Sequence, residues 1–181
     1  MNALIAHGGG PTAVLNASLA GVAESFRGGM LWAARGGLAG LLRGELVGLN
    51  AVPDWRGIGR APGSAIGTSR YRLGDGDFER IIALFRRHDI RCFFYTGGNG
   101  SMGTALAIER YARDCGYELQ VIGIPKTLDN DLLVTDHTPG YGSTARFFAC
   151  ASASWAPLAS PLALPLDSFS IRPPKARKRA M

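Results

Sequence analysis

The chain has 181 residues, 46% hydrophobic and 19% charged, enough for one domain with a real core and hardly for two. Its formal charge of +6 excludes nucleic-acid binding as a main function because of where it sits: residues 151–181 hold Arg172, Lys175, Arg177, Lys178 and Arg179 against Asp167, a net of +4, leaving +2 for the rest. Cys92, Cys115 and Cys150 are odd in number and far apart, and Met1–Ala6 lacks a basic signal region. A disulfide framework, a cysteine metal site and a secretory signal are therefore not expected, and a reducing, cytoplasmic setting is.

Residues 2–7 form a short apolar run that ends in Gly8-Gly9-Gly10-Pro11-Thr12, which predicts a strand and a glycine turn. Leu15, Leu19, Val22 and Phe26 follow at spacings of four, three and four, one face of a helix. Strand, glycine turn and helix together make an anion site at Gly10 plausible, although many α/β domains begin this way without one. Residues 30–33 predict a second strand, and residues 36–42 a turn into a short apolar element.

Residues 51–76 read as irregular and glycine-rich. They contain Gly67-Thr68-Ser69-Arg70-Tyr71-Arg72, where guanidinium groups beside small hydroxyl residues suit a phosphate chain; in isolation an ordinary solvated basic turn is the better reading. Asp75 or Asp77 is expected to cap the next helix, in which Phe78, Ile81, Ile82 and Phe85 share a face. Cys92–Tyr95 predicts a core strand running into Gly98-Asn99-Gly100-Ser101-Met102-Gly103.

That hexad matches the dinucleotide fingerprint between strand and helix. The acid expected near the end of the following strand is missing, since Glu118 precedes it and it closes in Ile124-Pro125-Lys126. The glycines are therefore read as a phosphate-contacting turn, and an NAD-binding domain is the lesser alternative.

Residues 119–124 are apolar and predict a buried strand, which Pro125 ends by removing a backbone donor. Lys126, Thr127, Asp129 and Asp131 then leave the sheet, two carboxylates two residues apart, and read as a catalytic loop or, alone, as an acidic surface turn. Ser143 is expected to cap a helix over 144–149. His137 reads as a structural loop residue. Repeated strand–loop–helix units imply an α/β fold, a doubly wound and mostly parallel sheet with helices on both faces, that gathers these turns at one sheet edge.

Four motifs in this order give the chain a family likeness. Residues 9–18, 67–70, 97–102 and 125–131, the last followed by Thr138-Pro139-Gly140-Tyr141-Gly142-Ser143, resemble the amino-terminal part of the 6-phosphofructokinases, over positions 3 to about 149. The likeness is to the group that contains the pyrophosphate-dependent enzymes and their ATP-using relatives. It implies phosphoryl transfer from ATP or pyrophosphate to the 1-hydroxyl of fructose 6-phosphate in glycolysis, with Mg²⁺, no nucleic-acid or membrane partner, and a homo-oligomer in the full-length family.

By the same resemblance Asp129 is the base toward the sugar hydroxyl, Thr127 helps hold the acceptor, and Lys126 adds positive charge. Asp131 orients the loop or supports the metal. Gly10, Arg70 and Tyr71, with Gly98, Asn99, Gly100 and Ser101, hold the donor. Asn99 stands where the family usually has a metal-binding acid, so it is a weak metal ligand with one oxygen and no charge. Gly100 stands where pyrophosphate users typically carry a second Asp, which favours ATP, whereas Lys126 is typical of the pyrophosphate-like group; the balance leans to ATP.

After Ala149 the resemblance stops. Residues 147–166 carry no charge, the length of a membrane span, but Pro157, Pro161 and Pro165 would interrupt a helix repeatedly, so none is expected. The expected division is a catalytic α/β domain over 1–149 and an Ala/Ser/Pro-rich, basic, disordered tail over 150–181. The change of composition reads as a shifted reading frame or truncated gene. The alternative to an enzyme is a non-catalytic phosphate- or nucleotide-binding remnant.

Overall fold

A computed structural model describes residues 1–155; most of the expected tail, 156–181, lies outside the described residues. Two compact units divide between Arg146 and Phe147. In the first, a five-stranded sheet runs in the order β3-β2-β1-β4-β5, from β1 (Asn2–His7), β2 (Leu31–Ala34), β3 (Leu46–Gly48), β4 (Ile90–Gly97) and β5 (Gln120–Pro125). All neighbours are parallel except β2 and β3. Central β1 alternates Ala3 and Ile5 toward one face with Leu4 and Ala6 toward the other, and all four are fully buried, as a strand covered on both faces requires.

One face packs Leu38 and Leu41 of α2 (Gly37–Leu42), Ile81, Ile82 and Phe85 of α4 (Asp75–Arg87), and Ala105, Ile108 and Ala112 of α5 (Asn99–Asp114). The other packs Leu19 of α1 (Ala13–Ser25) and Ile58 of α3 (Trp55–Arg60). α3 falls inside the stretch expected to be irregular. Asp54 caps it, accepting from Gly57 N at 2.8 Å, and Gly59 lets it approach α1, since a Cβ there would stand 3.1 Å from the Ala20 methyl. The glycines that hide this helix in the sequence are what allow its packing.

Three further expectations are corrected. The strand ending at Pro125 is not buried: β5 is the sheet's edge, and Ile122 is 38% exposed because α1 and α3 lie over the more central strands. Neither Asp75 nor Asp77 is the N-cap of α4, which is Gly74, although Asp77, the third residue, does cap the helix start by accepting from Gly74 N at 3.0 Å. Ser143 lies inside α6 (Tyr141–Trp155), and its hydroxyl donates back to Gly140 O at 3.1 Å. No helix among the described residues is long and apolar enough to cross a membrane.

Candidate active site

The carboxyl ends of β1, β4 and β5 open into one cleft of about 890 Å³. Its floor is the turn after β1. Gly8 N donates to Thr96 O at 2.7 Å, and Gly9 N to Ser69 O at 3.0 Å. Gly8 has no room for a side chain, since a Cβ would meet the Tyr95 hydroxyl at 2.5 Å and Ser101 Oγ at 2.6 Å, and Gly9 takes a φ of +79°. Both requirements select glycine. The turn thus locks into β4 on one side and the arginine segment on the other.

The arginine segment arrives from residues 61–70. Asn16 of α1 anchors its start, accepting from Ala65 N at 2.6 Å and donating to Ala61 O at 2.9 Å, and Thr68 Oγ1 donates to Gly9 O at 2.8 Å. Arg70 and Tyr71 then line the cleft with Gly10. The Tyr71 hydroxyl donates to Asp77 at 2.9 Å, a bond that raises its pKa. Tyr71 is thereby fixed as a wall beside Leu73 and Phe78.

On the opposite side, α5 begins at Asn99 with Gly98 as its N-cap. Gly98, Gly100 and Ser101 line the cleft, so the positive end of a 16-residue helix faces it. Asn99 does not line it. Its amide nitrogen donates to the Asp131 carboxylate at 2.9 Å and to Asp131 O at 3.2 Å. The two residues expected to support a metal are therefore side by side, both outside the cleft lining. The Asp131 carboxylate suits Mg²⁺, which takes few protein ligands and completes its shell with water and substrate phosphates, whereas the Asn99 amide presents its nitrogen here and would have to turn over to add its oxygen. No larger His, Cys, Asp and Glu cluster occurs among the described residues.

The third wall is the loop after β5. Lys126 N donates to Gly97 O at 2.8 Å and Thr127 N to Pro139 O at 3.0 Å. Thr127 Oγ1 accepts from Asp129 N at 3.0 Å, turning that carboxylate, itself exposed, back to the cleft. Asn130, at a φ of +53°, accepts from Thr138 N at 2.9 Å and donates to Asp136 O at 3.0 Å, closing the loop on itself. His137 lies outside the cleft lining, its ring 6.0 Å from that of Tyr141.

Lys126 is the buried charge of the site. It is 3% exposed, and its ammonium donates to Gly10 O at 2.7 Å. Burial pushes its pKa down, Arg70 pushes it the same way, and Asp129 pulls it back up. An anion between Lys126 and Arg70 would relieve both effects. Sequence reasoning missed His7 beneath this point. It is fully buried with Nδ1 2.8 Å from Ser64 Oγ, and burial, then Lys126, lowers its pKa to about 4. Its place at the end of a strand before glycines was the available clue.

The phosphofructokinase family model matches residues 2–154, and the chain belongs to that family. It is 40% identical to a pyrophosphate–fructose 6-phosphate 1-phosphotransferase of Halomonas elongata, over 83% of this chain and 39% of the relative. The identity is 43% to the enzyme of the same name from Xanthomonas campestris, over 82% and 38%. A solved pyrophosphate-dependent phosphofructokinase of Marinobacter aquaeolei superposes with a TM-score of 0.78 at 39% identity, over 87% of this chain and 41% of that one. The chain spans about two fifths of the length of these relatives.

Proposed function

We propose that this chain carries the donor-binding and acceptor-activating part of a 6-phosphofructokinase, moving a phosphoryl group from ATP or pyrophosphate to the 1-hydroxyl of fructose 6-phosphate, a glycolytic step in the cytoplasm. The observation that carries the reading is the convergence of Gly10, Arg70, Gly98, Gly100, Ser101, Lys126 and Asp129 around one cleft. The relatives' names supply the reaction.

Phosphoryl transfer needs its reactants aligned and its negative charge neutralised. The glycine turn, the start of α5, Arg70 and Lys126 would hold the donor's phosphates. Asp129, pinned through its own N–H to Thr127, would take the proton of the attacking hydroxyl. Asp131 and Asn99 would hold Mg²⁺, which when bound neutralises donor charge. The domain boundary at 149 and assembly as a homo-oligomer belong to this same reading.

Two features support ATP as the donor within this reading. Gly100 lines the cleft without a side chain to obstruct a nucleotide, and Leu73, Phe78 and Ala107 extend the phosphate pocket with an apolar wall. The names of the relatives speak for pyrophosphate. Coupled assays with each donor decide. The expected result is turnover with ATP that Asp129→Ala reduces by about 10³-fold, within the span of general-base effects. Binding of either donor without turnover, in a folded chain, would make it a phosphate-binding remnant instead.

A further inference from the structure

We propose that His7 is a positioning residue of the anion cleft: its imidazole pins Ser64, and through Ser64 the segment that brings Ser69 and Arg70 against Gly8–Gly10. The inference rests on the donor reading of the cleft given above.

The geometry ties one short stretch to the arginine segment twice. His7 Nδ1 is 2.8 Å from Ser64 Oγ, and two residues on Gly9 N donates to Ser69 O at 3.0 Å. Between these ties the chain turns at Gly67, with a φ of +73° and its N–H donating to Ser64 O at 3.1 Å. Residues 64–69 are thus a small closed loop with both ends fastened to the end of β1, and Arg70 is the next residue out. Gly37 admits this arrangement, since a Cβ there would stand 2.4 Å from His7 O and 2.8 Å from Ser69 N.

An apolar residue would fill the core at position 7 more cheaply. His7 is fully buried, yet Nε2 has no hydrogen-bond partner, and neither does Oγ1 of Thr96, its register partner on β4. Leaving buried polar atoms unpaired is costly. The bond to Ser64 is what the imidazole gives in return. A neutral ring also suits its place, because a second cation there would repel the Lys126 ammonium that holds Gly10 O.

The test is calorimetric titration of the full chain with pyrophosphate and, separately, with ATP, each with Mg²⁺. His7→Ala and Ser64→Ala are each expected to weaken binding about fivefold, the worth of one lost hydrogen bond, and His7→Gln, which can still reach Ser64, to restore it within about twofold. In an Arg70→Ala background neither alanine change should weaken binding further. Equal weakening with and without Arg70, or variants that lower the melting temperature while binding normally, would overturn the proposal. If His7→Ala does not fold, Ser64→Ala alone and with Arg70→Ala carries the same comparison. Wild-type protein that binds neither anion would remove the donor reading and this inference together, whereas binding unchanged in all variants would remove only the inference.

Discussion

The two sides of the cleft, which the proposed function assigns to phosphoryl donor and acceptor, are held by different means. The donor side hangs from β1 and β4, inner strands of the sheet, and its turn is fixed by backbone bonds to buried Thr96 of β4 and to Ser69 of the arginine segment. The acceptor loop hangs from β5 at the sheet's edge, with Leu133 91% exposed and Leu128 42% exposed. What shapes it is a set of side-chain bonds through Thr127, Asn130 and Thr138. Packing at the sheet's centre therefore backs the donor turn, with side-chain bonds of Asn16, Thr68 and His7 fastening its arginine segment, whereas local hydrogen bonding alone shapes the acceptor loop at the edge. The first should resist local opening and fail with the whole fold, and the second should open on its own.

Acid is the largest way to separate them. The pKa of His7 falls from 6.5 to about 4 on folding, so below pH 6.5 the unfolded chain binds the extra proton. His7's contribution is complete above 6.5 and declines as pH falls toward about 4, by about 3 kcal/mol in all. Urea unfolding at a series of pH values should show this loss in the wild type and lack it in His7→Gln. Superimposable profiles would mean that the imidazole is not neutral in the fold.

A steric change on the same side comes next. At Gly97 a Cβ would meet Ser101 Oγ at 2.2 Å and Gly8 O at 3.1 Å, so Gly97→Ala should cost about 2 kcal/mol, as overpacking does. Gly100→Ala, three residues on and in open space within α5, should be neutral or slightly stabilising. Equal effects of the two would show that the donor turn is not tightly packed.

Much of the donor side was legible because it is local in sequence. The strand over 2–7, the turn after it and the helix face through Leu15 and Leu19 are each written in consecutive residues. What was not legible depends on partners far along the chain. His7 meets Ser64 across 57 positions, and nothing near residue 7 announces it. The apolar run 119–124 promised burial, but exposure is decided by sheet order, which puts β5 at the edge. Three-residue β3, antiparallel at the opposite edge, is too short for any periodicity. On the acceptor side the residue types were plain, whereas the pairing of Asn99 with Asp131 appears only when α5 and the loop come together.

The smallest expected effect tests the comparison most directly. Thr138 Oγ1 donates to Thr127 O at 3.0 Å, buried, while its own N–H is held by Asn130. Thr138→Val keeps the volume and removes that one donor, which should weaken the loop by about 1 kcal/mol. If the loop opens independently, exchange of the Thr127 amide, which is bonded to Pro139 O, should speed about fivefold. The amides of Gly8 and Gly9, bonded to Thr96 O and Ser69 O, should exchange as before. Faster exchange at all three would mean that edge and centre open as one unit, and the acceptor loop would then owe its shape to the sheet rather than to its own side chains.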